Sequence, residues 1–228
     1  MFPKGLIVSS QALAGNPMLD PDKLAAMAEA AAIGGASALR VNGVEVVSRL
    51  RNKVEIPIIG INKVQDETGR TVITPNFVLA KEVVDAGADI VALDATFYPS
   101  SIKEDLPTLI AKIHDLGAKV MADISTAEEA EAAAAAGADA VSTTLAGYVP
   151  GALHTAEELY TPNYGLIEAI AKKNLPTALV AEGRFWKPEE VVKALKLGAD
   201  AVVIGKAITN PMAITKYFIS EIQRGMEK

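Results

Sequence analysis

Cysteine is absent from all 228 residues, so disulfides, thiolate metal centres and cysteine nucleophiles are excluded at the outset. Histidine occurs only twice: His114 falls in a helical stretch and His154 in a long loop. Neither ends an apolar run, so a histidine-based metal site is not expected. No run approaches the ~18 uninterrupted apolar residues that a membrane-crossing helix needs. A basic excess is missing too. The net charge of −6 argues against nucleic acid as a partner, while leaving room for a locally positive pocket. Dinucleotide, Walker, serine-elbow and zinc-protease motifs do not occur. Residues 1–4 lead straight into an apolar run without a signal-peptide pattern, which makes the cytoplasm the expected compartment.

Against those absences stands a repeat. A helix-like stretch meets Gly-Ala and then a short apolar run at Gly35-Ala36, Gly87-Ala88, Gly137-Ala138 and Gly198-Ala199. Glycine there supplies the left-handed residue that closes a helix, and the apolar run reads as a strand buried on both faces. These runs cover residues 38–42, 90–94, 140–143 and 201–205, and four more lie at 6–9, 56–63, 118–123 and 176–182. Eight strand–helix units in a chain of this length predict a closed parallel (β/α)8 barrel, one catalytic domain over residues 1–228.

Helices are expected between the strands. Residues 22–33 carry Leu24, Met27 and Ala31 at helical spacing, and Thr74-Pro75 opens a helix running to Gly87 with Val78, Leu79 and Val83 in phase. Thr126 and Glu129 form a capping-box signature before an alanine-rich helix that ends at Gly137. Pro188 opens the seventh helix and Asn210-Pro211 the last. The long connection at 143–163 follows the sixth strand, so it lies over the catalytic face, as a lid or as a plain surface excursion.

Chemistry in such a barrel sits at the C-terminal ends of the strands. That rule selects Gln11, Arg40, Asn62, Lys63, Asp94, Asp123, Thr143, Thr144, Glu182 and Arg184. Lys63 closes the third run. Apolar walls would lower its pKa and make it a proton acceptor or a Schiff-base former; the bland alternative is a solvated lysine. Glu182 closes the seventh run beside Gly183, as an acid or as a salt-bridge partner of Arg184 or Lys187. The two stand four strands apart, on opposite walls of the mouth, as inversion of a carbon by proton transfer requires. Apolar surroundings are expected for both, favouring a neutral lysine and a protonated glutamate. Asp94 and Asp123 are the available ligands for a carboxylate-only magnesium site. Gly183 and Gly205 follow the last two strands, where this fold commonly holds phosphate, and Lys206 adds charge; tight turns are the plainer reading.

Strings along nearly the whole chain resemble the N-acetylmannosamine-6-phosphate 2-epimerases. They include Ser10-Gln11-Ala12-Leu13, Arg40-Val41-Asn42-Gly43, Ile59-Gly60-Ile61-Asn62-Lys63, Ala181-Glu182-Gly183-Arg184 and Gly205-Lys206-Ala207-Ile208-Thr209. Leu93-Asp94-Ala95-Thr96 and Thr143-Thr144-Leu145-Ala146-Gly147-Tyr148 are the most specific. The resemblance implies a cofactor-independent, metal-free isomerase of amino-sugar and sialic acid breakdown, acting on a phosphorylated amino sugar through its C2 proton. It makes Lys63 and Glu182 the acid–base pair and places Gln11, Arg40 and Asp123 at the sugar. Gly183, Arg184, Gly205 and Lys206 join the substrate-binding set, and a homodimer is a further expectation. Asn210 stands where the family usually has an arginine, Lys206 where it has a small residue, and residues 64–66 and 97–101 lack the family's frequent basic residues. Lys206 is expected to restore the lost charge. The competing readings are a Schiff-base aldolase built on Lys63 and a sugar-phosphate-binding barrel without catalysis. A metal-dependent ketose-phosphate 3-epimerase is disfavoured for want of histidines at strand ends.

Overall fold

Alternation within each strand decides which side chains enter the barrel and which meet the helices. The structure, a computed structural model, describes residues 1–149 and 160–226. Its strands are β1 (Gly5–Ser10), β2 (Ala38–Asn42), β3 (Ile58–Ile61), β4 (Lys63–Gln65), β5 (Thr71–Ile73), β6 (Ile90–Asp94), β7 (Lys119–Asp123), β8 (Ala140–Ser142), β9 (Ala178–Glu182) and β10 (Ala201–Ile204). The helices are α1 (Pro21–Ile33), α2 (Val44–Arg51), α3 (Phe77–Asp85), α4 (Leu106–Asp115), α5 (Ala127–Ala135), α6 (Tyr164–Ala171), α7 (Pro188–Lys196), α8 (Lys206–Thr209) and α9 (Pro211–Met226). Eight parallel strands close in the order β1-β10-β9-β8-β7-β6-β3-β2, and β4 with β5 forms a separate antiparallel hairpin. This is the (β/α)8 barrel that the repeat predicts.

Two cores result. Ile7, Ile59, Met121, Val180 and Val203 fill the interior with Ala38, Ala92 and Ala140, and Phe2 joins them. The outward residues Val8, Leu39, Val91, Val120 and Val141 pack with Leu24, Leu50, Val83, Ile113 and Ile167 of the helices. Each such side chain contributes roughly 1.5–3 kcal/mol on burial. At one point the layers touch without a side chain between them. A Cβ at Gly60 would lie 2.7 Å from Ala88 Cβ and 3.1 Å from Val83 Cβ. The repeat's glycines have the expected left-handed backbone, with φ 110° at both Gly87 and Gly198.

Several local expectations change. The third apolar run stops pairing in the barrel at Ile61, and Lys63 begins the hairpin instead of ending β3. The third helix does not start at Thr74-Pro75. Those residues complete the hairpin's return, and Asn76 caps α3 by accepting from the Leu79 N–H at 3.2 Å. Val78 is consequently 65 % exposed, while Ala80 and Val83 face the barrel. The capping box of α5 is present, and Pro188 and Pro211 open α7 and α9 as expected. Residues 150–159 of the expected lid, His154 among them, lie outside the described residues. Among the described residues no helix is long and apolar enough to cross a membrane.

Candidate active site

Extending the interior parity by one inward position, two residues further along each strand, builds the site. Ala38, Ala92, Met121, Ala140 and Val180 point inward, so the next inward positions are Arg40, Asp94, Asp123, Ser142 and Glu182. Ile59 and Ile61 set the same phase for Lys63 beyond the end of β3. Lys63 and Glu182 therefore rise from opposite sides of the ring, four strands apart in either direction.

Arg40 is the hub, with only 1 % of its surface exposed. Its Nη2 donates to Asp123 Oδ2 at 2.6 Å, and its Nη1 donates to Glu182 Oε2 and to Thr144 Oγ1 at 3.1 Å. The Thr144 hydroxyl lies 2.5 Å from Asp123 Oδ1, 3.1 Å from Glu182 Oε2 and 2.9 Å from Ser142 Oγ. One guanidinium thus faces two carboxylates. Burial alone would lower the Arg40 pKa, but Asp123 and Glu182 more than offset it and the net change is upward. Burial, opposed by Arg40 and reinforced by the Glu182 charge, pushes Asp123 up to about 7.

Lys63 Nζ donates to Gln11 Oε1 at 2.6 Å, and Gln11 Nε2 donates in turn to Ser9 Oγ at 2.7 Å. Burial first, and then the positive charge of Arg40, lower the Lys63 pKa; Glu182 and Asp123 pull the other way without reversing it. Burial thus moves the Lys63 pKa in the expected direction. The carboxylate of Glu182 is not in the apolar surroundings expected for it: it meets Arg40 and Thr144. Neither Arg184 nor Lys187 is its ion-pair partner.

The remaining candidates divide. Thr143 Oγ1 donates to the Glu182 carbonyl and accepts from the Glu182 N–H, both at 2.9 Å, so it ties β8 to β9. Asn62 turns to Glu82 on α3 at 2.8 Å. Arg184, itself at φ 65°, donates to the carbonyls of Thr161 and Ala146 and holds together the loops after β8 and β9. Gly183 has φ 112° and open space where a Cβ would stand, whereas Gly205 lies against Ser9 and leads into the short helix α8. Lys206 is exposed at the start of α8. Asn210 is used structurally: its Oδ1 accepts from the Ala213 N–H at 3.0 Å and from Asn16 Nδ2 at 3.3 Å.

Asp94 sits beside Asp123 in register, yet both proposed magnesium ligands are engaged by cations. Asp94 receives Arg70 on Oδ2 and Lys103 on Oδ1, the latter at 3.1 Å. Among the described residues no three histidine or acidic side chains are grouped to hold a metal ion. Arg70 and Lys103, from the hairpin and from the loop before α4, bring positive charge to Asp94 that residues 64–66 and 97–101 do not supply. Nothing in the local sequence marks either one, whereas the parity of β8 already marked Ser142.

Residues 24–224 match the family model described as "Putative N-acetylmannosamine-6-phosphate epimerase". A relative from Caldanaerobacter subterraneus, named "Putative N-acetylmannosamine-6-phosphate 2-epimerase", is 46 % identical over 96 % of this chain and 91 % of its own. One of the same name from Clostridioides difficile is 39 % identical over 96 % of both. The solved structure of the N-acetylmannosamine-6-phosphate 2-epimerase from Clostridium perfringens superposes with a TM-score of 0.86 at 37 % identity, covering 95 % of this chain and 92 % of that one. A family match of this extent, with such identities along nearly the full length, shows that the chain belongs to the N-acetylmannosamine-6-phosphate epimerase family.

Proposed function

We propose that this protein interconverts N-acetylmannosamine 6-phosphate and N-acetylglucosamine 6-phosphate by removing and returning the C2 proton, in the breakdown of amino sugars and sialic acid. The whole chain, 1–228, acts as one catalytic unit. The observation that carries the reading is Lys63, a half-buried amine with a lowered pKa, facing the Arg40–Asp123–Glu182 cluster across the barrel mouth. The C2 hydrogen is acidic only when C1 is a free aldehyde, so the ring opens before the proton leaves. Lys63, uncharged, takes that proton, and an enolate forms. Arg40 stabilises the growing charge on the C1 oxygen. As its charge is drawn toward that oxygen, its hold on Glu182 weakens and the carboxylate becomes a better proton acceptor. Thr144 touches both carboxylates and offers a path by which a proton from Asp123 reaches Glu182 and then the opposite face of C2. Gln11 orients the sugar from the Lys63 side, while Gly183 and Gly205, with Arg184 and Lys206 alongside, receive the phosphate, fixing C2 between the two walls. A phosphorylated sugar does not cross a membrane unaided and is held where it is made, which supports the cytoplasm as the compartment of this work.

A homodimer belongs to the same proposal. The 16 residues of α9 contain none that is buried, and Phe218, Ile219, Ile222 and Met226 are more than half exposed. A second copy covering that face would account for it.

Proton NMR of N-acetylmannosamine 6-phosphate in deuterated water with chelator-treated protein tests the function. The gluco epimer should appear with deuterium at C2, and Lys63→Met should abolish both product and exchange. Absence of exchange in the parent protein, or near-parental turnover in the lysine variant, would overturn the reading.

A further inference from the structure

We propose that Arg70 is a positioning residue for Lys63: it pins the hairpin that carries the lysine onto Asp94 at the mouth of the barrel. The inference rests on Lys63 being the base. Lys63 opens β4, outside the barrel's own hydrogen-bond ladder, and the hairpin has only three residue pairs: Lys63↔Ile73, Val64↔Val72 and Gln65↔Thr71. A two-stranded ribbon of that size does not hold its shape unaided. At its base the ribbon is fixed by Thr74 N–H to the Asn62 carbonyl, Asn62 N–H to Thr74 Oγ1, and Lys63 N–H to Asn42 Oδ1, each at 3.0 Å. At its tip Glu67 Oε2 accepts from the Ser101 hydroxyl of the loop after β6 at 2.7 Å, and the turn is otherwise closed internally. Asp66 Oδ1 accepts from the N–H and hydroxyl of Thr68 and from the Arg70 N–H.

Arg70 joins that tip to the barrel. Its Nη2 donates to Asp94 Oδ2 and lies 3.3 Å from Thr96 Oγ1, and its guanidinium lies 4.7 Å from the centre of the Tyr98 ring. The side chain is 10 % exposed, and Nη1 is buried without a hydrogen-bond partner. Leaving a guanidinium N–H unsatisfied is costly, so stability alone does not explain the residue. Asp94 does not depend on Arg70 for neutralisation either. Its Oδ1 accepts from Lys103 Nζ, the Thr96 N–H and the Thr96 hydroxyl. A variant lacking Arg70 therefore keeps a compensated Asp94 and is expected to fold. What it loses is the charged tie between the hairpin and the barrel, which acts beside the Ser101–Glu67 contact and the burial of Val72 and Ile73 to keep Lys63 Nζ 2.6 Å from Gln11 Oε1.

The test uses Arg70→Met, Arg70→Lys and Tyr98→Ala in the full chain, with Lys63→Met alongside. Steady-state rates by the same NMR assay are measured across pH, together with melting curves. For Arg70→Met, kcat at neutral pH should fall about ten- to a hundredfold, the scale expected when a reacting group is misplaced by about an ångström. KM should stay within about threefold, because the phosphate contacts are untouched. The half-maximal point of kcat should move to higher pH as water reaches the amine. The charged groups facing Lys63, which are Arg40 from β2, Asp123 from β7 and Glu182 from β9, are unchanged in the variant. Arg70→Lys should recover most of the rate, since an ammonium still pairs with Asp94. Tyr98→Ala alters only a loop ring and should give a smaller loss in the same direction, which keeps the test usable if Arg70→Met does not fold. Parental kcat and pH profile in Arg70→Met or Tyr98→Ala, with Lys63→Met inactive, would overturn the positioning role alone. Equal rate loss at every pH with an unmoved midpoint would also overturn it. Turnover by Lys63→Met would instead overturn the assignment of the base.

Discussion

Asp123→Asn probes the competition of two carboxylates for one guanidinium. Asp123 is wholly buried and shares Arg40 with Glu182. Burial, opposed by Arg40 and reinforced by Glu182, raises its pKa from 3.8 to about 7. A carboxyl whose pKa is higher in the folded state binds more protons there than in the unfolded chain. Its contribution to stability is therefore full below pH 3.8 and is lost as pH rises through about 7. At about 1.4 kcal/mol per pH unit of pKa difference, the loss across that window is about 4 kcal/mol. For a domain of this size, ~2–4 °C of melting temperature per kcal/mol turns that into ~10 °C. Asparagine has nearly the same shape, still offers Arg40 an acceptor, does not titrate, and leaves Arg40 and Glu182 paired one to one. Melting both proteins between pH 4.5 and pH 8 at constant ionic strength isolates the effect in their difference. Asp66, Glu104 and Asp105, whose pKa values are lowered chiefly by hydrogen bonds from Thr68, the Phe77 N–H and Thr108, lose stability as pH falls and act alike in both proteins. The variant should gain steadily on the parent as pH rises. A difference that does not change with pH would refute the reasoning.

Further outcomes follow from single contacts. Gly60→Ala sets a methyl against Ala88 Cβ and Val83 Cβ, neither of which can swing away, so overpacking should cost about 1–3 kcal/mol in denaturant melts. Glu129→Ala removes the acceptor for the Phe97, Ser125 and Thr126 N–H groups and for the Ser125 hydroxyl, and should destabilise by at least about 3 kcal/mol; Thr126→Ala, at the other end of the same box, should cost only ~1. Because Lys63 acts uncharged, kcat should fall as pH drops through its lowered pKa, reaching half its maximum below the ordinary lysine value of ~10.4. A pH–rate curve with its midpoint at that ordinary value would count against Lys63 as the base.

The barrel was legible because strands buried on both faces leave continuous apolar runs, and β2 and β6 match theirs residue for residue. Lys63, Asp123 and Glu182 were legible because they terminate those runs, and Arg40 because a charge interrupts the apolar run at 38–42. The partner of Glu182 was not. Arg184 is two residues away in the chain, but the guanidinium that reaches the carboxylate comes from 142 residues earlier. Two paired segments of three residues, separated by a polar turn, carry too little periodicity to betray the β4–β5 hairpin, and the third run consequently read as reaching Lys63. Arg70 and Lys103 stayed hidden for the same reason. They belong to an appendage and a loop, and meet Asp94 only through tertiary structure. Thr74-Pro75 looked like a helix start because Thr and Pro commonly open helices, but here the hairpin's return occupies both and Asn76 takes over the cap.

The ring of strands is sealed by its first and last members, Gly5 pairing with Ala201 and Val8 with Ile204. Contacts between such distant residues are slow to form, because most of the intervening chain must be ordered before they are rewarded. At ~5–20 residues per second, the ribosome leaves β1 waiting roughly 10–40 s for its partner. Throughout that interval one edge of the growing sheet is unpaired, and Gln11, just beyond β1, has no complete floor to work on. The nascent protein is thus an inactive, exposed half-barrel until synthesis is nearly finished, and its solubility during translation, more than that of the finished fold, should govern how well it is made.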